Sequence, residues 1–237
     1  KIIEGPYGQG SMSFENNSTL QGEGTIEITG ILDINIPDFI FPKTIDLYLS
    51  AGELSGNYNI NIAGNLYWSG GRVRKPLTIL NTGKVFLNSS TISDNAIINN
   101  GTFSWMSGNI TINSYPFINN GTFEILSGGR YGIFNSYFNT YFDNYGTLVK
   151  KSGTVSEVDR GFQNKAGGKI CRSGSLKINN LYNDGIISPG QSPGKLEISS
   201  QNGILKNETH AGILEVEIVN QNSVTDFDQL NLKGNTA

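Results

Sequence analysis

A turn built on asparagine and glycine recurs along the middle of the chain, and it constrains the fold more than any other feature. The copies are "ILNTGKVFL" at 79–87, "IINNGTFSW" at 97–105, "FINNGTFEI" at 117–125, "FDNYGTLVK" at 142–150, "FQNKAGGKI" at 162–170 and "LYNDGII" at 181–187. Their glycines stand 18, 20, 25, 22 and 17 residues apart. A repeat of this length is typical of one coil of a small β-solenoid.

A second motif repeats with the same period. Ser-Gly pairs occur with steps of 38, 20, 25 and 21 residues, and the first step spans two coils; their serines are Ser69, Ser107, Ser127, Ser152 and Ser173. Short stretches such as "GTIEIT" and "GSLKIN" alternate apolar and polar residues as strands do. We therefore predict an all-β chain folded as a single-stranded parallel β-helix, or β-solenoid, with about 20 residues per coil.

The positions after each turn glycine predict which side chains face the core. Alternating apolar residues should point inward and stack from coil to coil; they are Val85, Leu87, Phe103, Trp105, Phe123 and Ile125. In two later copies Lys150 or Arg172 takes the second inward position. We expect the strand to end early there and the charge to turn outward.

The asparagines and glycines of the turn are predicted to be structural. Asparagine tolerates the left-handed αL conformation, and its amide can hydrogen-bond to the equivalent asparagine one coil away. This interpretation covers Asn81, Asn100, Gly101, Asn120, Gly121, Asn144, Gly146, Gly168 and Gly185.

Composition argues against several classes of function. The net charge is -3 and the basic residues are scattered, so nucleic acid is not an expected partner. With one cysteine and one histidine, Cys171 and His210, neither a cysteine metal cluster nor a Ser-His-Asp triad is expected. No run of 18 apolar residues suggests a membrane span, and no signal peptide or initiator methionine precedes Lys1. We predict a non-enzymatic piece of a longer protein, without metal or cofactor.

Three regions follow along one continuous solenoid. Residues 1–60 lack the Asn-Gly turn and are predicted to form an N-terminal cap or irregular coils, with Pro37 and Pro42 at corners or edges. Residues 61–187 should form the regular coils. Residues 188–237 should form further coils that contain two Ser-Pro-Gly sequences.

The C-terminal region carries a resemblance to known proteins. It reads "GIISPGQSPGKLEISS", then "GILEVEIV", then "DFDQLNLKGNTA". This order resembles a segment of large secreted β-helical adhesins, including autotransporter passenger domains and filamentous-haemagglutinin-like surface proteins. The matching residues are Ser188, Pro189, Gly190, Ser192, Pro193, Gly194, Leu196, Glu215, Phe227, Asp228, Leu230 and Gly234, while Leu232 replaces the usual valine. The resemblance implies a secreted surface stalk and transfers no catalytic residue.

An aromatic-rich segment, "YGIFNSYFNTYFDNY" at 131–145, is the main candidate for a binding site. Aligning it with the preceding copy places Tyr115 near Tyr141 and Asn120 near Asn144, which leaves about five added residues around 131–138. Insertions in solenoids often map to the binding face. The rings form either core packing or a glycan-stacking patch; the candidates are Tyr131, Phe134, Tyr137, Phe138 and Tyr141.

Other candidate sites have plain structural alternatives. A catalytic cluster would need Asp143, Glu157 and Asp159 to converge with Lys150, Lys151 and Arg160, and solvated charges at the corners are the favoured interpretation. Asp226 and Asp228 share one side of a strand, yet Ca²⁺ needs more oxygen ligands than two. N-x-S/T sequons begin at Asn16, Asn17, Asn88, Asn100, Asn109, Asn120 and Asn207, and they matter only in a secreted eukaryotic protein.

These observations favour a non-enzymatic, extracellular β-helix module of a large surface adhesin. Such a module, monomeric by itself, would present repeated faces to a glycan or to a host or cell-surface protein. Two alternatives remain at this point: a carbohydrate-active β-helix enzyme, either lyase or hydrolase, and a segment of a viral or phage fibre. An enzyme predicts a carboxylate-rich groove with Lys or Arg opposite, and a fibre predicts an obligate trimer.

Overall fold

The computed structural model describes residues 2–3, 10–113, 115–126, 129–132, 141–151, 155–190, 194–200, 205–206, 211–218 and 227–234. Within these ranges all regular elements are β-strands, and the strands pair in parallel. They stack about 20 residues apart into a β-solenoid, which confirms the predicted fold class. A single antiparallel bridge among the described residues joins Ile218 to Phe227.

The first face of the solenoid is an 11-stranded parallel sheet. Its strands are β1 (Ile2–Ile3), β3 (Gly24–Ile28), β6 (Ile45–Leu49), β9 (Asn65–Trp68), β12 (Lys84–Asn88), β15 (Thr102–Ser107), β18 (Thr122–Ile125), β21 (Thr147–Lys150), β23 (Lys169–Arg172), β25 (Ile186–Pro189) and β28 (Ile213–Leu214).

The second face follows the first along each coil. Its strands are β2 (Ser11–Phe14), β4 (Ile31–Ile34), β7 (Glu53–Gly56), β10 (Arg72–Val73), β13 (Thr91–Ser93), β16 (Ile110–Ile112), β19 (Gly129–Gly132), the first part of β22 (Val155–Asn164), the first part of β24 (Gly174–Asn183), β26 (Lys195–Ser200) and β29 (Gln229–Gly234).

The third face closes the coil before the chain returns to the first. Its strands are β5 (Ile40–Phe41), β8 (Ile60–Ile62), β11 (Leu77–Ile79), β14 (Ile97–Asn99), β17 (Phe117–Asn119), β20 (Tyr141–Asn144), the second parts of β22 and β24, and β27 (Leu205–Lys206). Because β22 and β24 each run along both faces, the second and third faces form one 18-stranded sheet.

Apolar side chains stack in columns inside the solenoid because the strands stay in register from coil to coil. All six residues predicted to face inward are buried. On the third face the rings of Phe117, Phe142 and Phe162 stack with centroid distances of 4.7 and 4.8 Å, close to the spacing between paired strands. Phe123 pairs directly with Leu148, so the long step between these coils does not disturb the register.

The expectation that the strand ends early before Lys150 is wrong. Strand β21 continues through Lys150, which pairs with Ile125 on one side and Arg172 on the other. The register therefore keeps its side chain in the inward column, where it has no exposed surface. Arg172 differs, because it is only partly buried and its φ of 79° turns the chain at the end of β23.

The proline-containing N-terminal coil is in register with the coils that follow it. Strand β6 pairs with β9 through four residues, and β5 pairs with β8. Pro42 lies at the corner between the third and first faces, where its carbonyl accepts a hydrogen bond of 3.1 Å from Ile45 N–H. This corner has three residues between its strands, against two in the "NNG" corners, and the register across it is maintained.

Candidate functional site

A ladder of buried asparagines occupies the corner between the third and first faces. In four successive pairs the Nδ2 of one asparagine donates to the Oδ1 of the next at 2.7 Å. Its members are Asn99, Asn119, Asn144, Asn164 and Asn183, all buried. Asn144 lies in this ladder, but its partner is Asn119 and not Asn120, so the alignment made from the sequence was wrong by one residue.

The ladder asparagines also satisfy backbone carbonyls at the corner. Asn99 donates to Thr122 O at 2.9 Å, and Asn144 donates to Lys169 O at 3.3 Å. The αL explanation is wrong, because the described residues other than glycine with positive φ are Asn17, Asp38 and Arg172. Asparagine is used here because one short amide donates to both a side chain and a carbonyl.

The other turn asparagines lie outside the buried ladder. Asn120 Nδ2 donates to Asn100 Oδ1 at 2.9 Å on the exterior. Asn81 is exposed. Its corner, which runs from Ile79 to Gly83, has two more residues than the "NNG" corners. These asparagines therefore lie on the outside of the corner and do not contribute to the buried ladder.

The turn glycines are required because neighbouring coils approach closely, not because of their φ angles. A Cβ atom added to Gly146 would lie 2.1 Å from the carbonyl oxygen of Gly121. The other predicted turn glycines meet a backbone oxygen of another coil at 2.2–2.3 Å; they are Gly101, Gly121, Gly168 and Gly185. Any side chain at these positions would push the coils apart, so this corner needs no functional explanation.

The Ser-Pro-Gly region is held by a buried carboxylate. Asp228 accepts backbone hydrogen bonds from Gly194 N–H at 2.9 Å and from Glu217 N–H at 3.1 Å. Gly190 has a φ of 106°, and a Cβ there would lie 1.9 Å from Asp228 Oδ1. Asp228 thus connects Gly194 to Glu217 through its side chain, while Asp226 lies outside the described residues. No group of three or more potential metal-ligating side chains occurs in the described part of the chain.

Charged side chains on the exterior form ion pairs across coils, and Asp94 contacts both Arg72 and Arg74. Arg74 makes a bidentate contact with Glu53, with both N–O distances at 2.7 Å, which lowers the pKa of that carboxyl. Other pairs are Arg72–Asp94, Lys151–Glu124, Lys177–Glu157, Lys169–Glu215 and Lys233–Glu197. The charges proposed as a catalytic cluster are therefore separated between faces, and the side chains of Asp159 and Arg160 lie outside what the structure describes.

Lys150 is the unusual charged residue, because it is enclosed in the core. Its Nζ has no hydrogen-bond partner, and burial lowers the pKa of the amine to about 8. Trp105 and Ile125 precede it in the same inward column. With no exposed surface, this amine does not contact a substrate in the conformation described.

Two groups of aromatic rings lie on the exterior. On the first face Tyr48, Tyr67 and Phe86 stack at 4.5 and 5.0 Å with interplanar angles near 15°. Burial, with Asp46 and Tyr48 nearby, raises the pKa of Tyr67. Because each ring covers the face of its neighbour, the stack presents mainly ring edges, which suit packing better than sugar stacking.

The second group lies on the third face and includes one residue of the predicted aromatic patch. Tyr141 contacts Tyr182 edge to face, with centroids 6.0 Å apart. Its backbone pairs with Gly161 one coil on, and its ring occupies the space above that glycine. The sequence did not point to Tyr182 or Gly161, since their proximity depends on the register between coils.

Of the other residues in the predicted patch, only Tyr131 lies within the described part of the chain. Tyr131 belongs to β19, where it pairs with Ile110 and Val158, two positions of the inward column. Phe134, Tyr137 and Phe138 lie outside the described residues. Tyr115 is exposed, and its predicted alignment with Tyr141 is wrong by one residue. Phe142 pairs with Phe117, so the residue aligned with Tyr141 is Pro116.

The fold defines this chain as a β-solenoid protein with a buried asparagine ladder. Comparisons with protein-family models, with curated proteins and with solved structures found no match. No helix capable of spanning a membrane occurs among the described residues.

Proposed function

We propose that this chain is a non-enzymatic, extracellular β-solenoid module of a large surface adhesin, which attaches to a glycan or to a host or cell-surface protein. The observation that carries the proposal is the distribution of exterior charge. Glu124 pairs with Lys151 on the first face, while the pairs Glu53–Arg74 and Glu157–Lys177 lie on the second face with four strands between β7 and β22. A scaffold needs such a stable, even surface, whereas a glycosidase or lyase needs convergent carboxylates.

The stacked architecture also supports an attachment role. Paired strands lie about 4.8 Å apart, so each outward position is repeated at a fixed interval along the axis. Repeated weak contacts on such a face add through avidity. The resemblance of residues 188–237 to secreted adhesins supports the same location at a cell surface.

A glycan array combined with a depletion assay tests this function. The purified chain is applied to immobilised glycans, and each bound polysaccharide is then incubated with the chain in solution and followed for loss or unsaturated products. Binding without turnover is expected. Turnover of any polysaccharide contradicts the proposal and favours the enzyme alternative. Sedimentation is expected to give a monomer, and an obligate trimer would favour a fibre segment.

A further inference from the structure

The exterior of the first face carries two tyrosines that stack on each other from neighbouring coils. Tyr48 on β6 is the register partner of Tyr67 on β9, so their backbones lie about 4.8 Å apart. The rings keep this spacing, with centroids 4.5 Å apart and planes inclined by 15°. Because both side chains leave the same face at paired positions, the two rings stay in contact as long as the coils are paired.

Both rings lie on the outside of the solenoid, where a dissolved oxidant reaches them. Tyr48 is 38% exposed and Tyr67 is partly exposed. Tyr48 ends the stack, because its register partner on the preceding coil is Glu27. Tyr67 is held between Tyr48 and Phe86. Tyr48 is therefore the ring that has room to tilt toward its neighbour.

Other tyrosines whose side chains are described lack this arrangement. Tyr58, Tyr115 and Tyr145 are exposed, and no ring among the described residues stacks on them. Tyr141 and Tyr182 do touch, but edge to face with centroids 6.0 Å apart, and one coil lies between their strands. The pair on the first face thus differs from these five residues, because it combines exposure with stacking on directly paired strands.

Two tyrosines in contact can be joined by oxidation. A peroxidase that uses hydrogen peroxide takes one electron and one proton from each phenol, which leaves two phenoxyl radicals. A carbon–carbon bond then forms between one Cε atom of each ring. Each of these carbons loses its proton and each oxygen regains one, which restores both phenols. Hydrogen peroxide has accepted two electrons and two protons and becomes two water molecules, so the dityrosine product contains two hydrogen atoms fewer.

We propose that Tyr48 and Tyr67 are an oxidative cross-linking site, at which a peroxidase and hydrogen peroxide join two successive coils through a dityrosine bond. The site is independent of the proposed attachment function, because it needs neither a glycan nor a protein partner. Holding the rings together makes their coupling intramolecular and favours it over coupling between molecules. The bond would link β6 to β9 covalently and leave the chain a monomer.

The test oxidises the full chain at low concentration with a haem peroxidase and hydrogen peroxide. The variants are Tyr48→Phe and Tyr67→Phe, because phenylalanine keeps the stacked ring and cannot form a phenoxyl radical. Tyr58→Phe is the matched control, since Tyr58 is 41% exposed and lies between the two tyrosines in the sequence. Circular dichroism establishes that each variant is folded, and dityrosine fluorescence is read in the monomer after denaturing electrophoresis.

Peptide mapping identifies the two residues that are joined. Trypsin releases residues 44–72 as one peptide that contains both tyrosines, and a glutamyl endopeptidase cuts this peptide after Glu53. The two halves stay together only if they are cross-linked, and mass spectrometry then finds them with two hydrogen atoms missing. Fragmentation distinguishes Tyr67 from Tyr58 in the second half.

Wild type and Tyr58→Phe are expected to form the cross-link within the monomer, and Tyr48→Phe and Tyr67→Phe to lower its yield at least about tenfold. The double variant Tyr48→Phe/Phe86→Tyr should restore a cross-link one coil further on, because ring 86 stacks on Tyr67 at 5.0 Å. The proposal is wrong if wild type forms no dityrosine within the monomer, or if the yield survives in either folded single variant. Dityrosine found only in covalent dimers would also overturn it.

Discussion

One corner of the solenoid is built in two chemically different ways along the axis. In the N-terminal coils the last position of the third face is apolar, and Phe41, Ile62 and Ile79 fill it in turn. From the next coil onward the same position is asparagine five times, beginning with Asn99. The backbone register continues across the change. The same parallel coil is therefore stabilised at its corner either by buried hydrocarbon or by a chain of amides.

At the junction between the two regions one buried polar atom has no hydrogen-bond partner. Asn99 donates to the next rung of the ladder, but its own Oδ1 faces the coil of Ile79 and has no hydrogen-bond partner. A second inward column also changes from apolar to polar along the chain, from Trp68, Leu87 and Trp105 to Lys150. At this corner the N-terminal coils thus depend on buried hydrocarbon and the C-terminal coils on hydrogen-bonded amides, while the inward column acquires an amine without a partner.

The largest expected effect comes from interrupting the ladder at its centre. Asn144→Leu removes a donor to Asn164 and an acceptor from Asn119, which leaves two buried polar groups unsatisfied. We expect the free energy of unfolding to fall by about 3 kcal/mol. Urea unfolding followed by circular dichroism measures it, with Asn120→Leu on the exterior as the control, expected to change it by less than about 0.5 kcal/mol. Equal effects of the two variants would rule out a stabilising ladder.

The next effect tests the buried amine of the second column. Lys150→Met replaces an unpartnered group by an apolar one of similar length, and at pH 7 we expect a gain of about 2 kcal/mol. The folded-state pKa is about 8 and the ordinary value is 10.5. Between these values the unfolded chain retains a proton that the folded chain lacks, so wild-type stability rises with pH in that window and is lowest below it.

Urea unfolding at pH 7, 9 and 10.5 checks this prediction for both proteins. The pH-dependent rise should be smaller in Lys150→Met by the contribution of one group. A variant that is less stable than wild type at pH 7 would show that Lys150 has a favourable partner in the folded protein.

A smaller effect is expected at the end of the ladder. Asn99→Leu shortens the ladder by one rung, and the acceptor without a partner moves from Asn99 to Asn119. The net loss is mainly the hydrogen bond to Thr122 O, so stability should fall by about 1 kcal/mol. The same urea assay compares it with Asn144→Leu, and a loss as large as that of Asn144→Leu would contradict the difference between end and centre.

The sequence was sufficient for the period, the parallel stacking and the inward apolar columns, because each depends on local alternation and spacing. It misassigned the ladder partner of Asn144, because two adjacent asparagines in "INNG" offer two alignments and only backbone pairing separates them. The environment of Lys150 and the contact of Tyr141 with Gly161 depend on register between coils. Such contacts join residues about 20 positions apart, so local patterns do not contain them.

The most direct test of the ladder is a double-mutant cycle on Asn119 and Asn144. Stability is measured for Asn119→Leu, for Asn144→Leu and for the double variant by urea unfolding. If the two amides are hydrogen-bonded in the buried ladder, the second substitution removes a group that the first has already left without a partner. The double variant should then lose at least about 1 kcal/mol less than the two single losses combined. Additivity within about 0.5 kcal/mol would contradict the ladder as the feature that holds the C-terminal coils together.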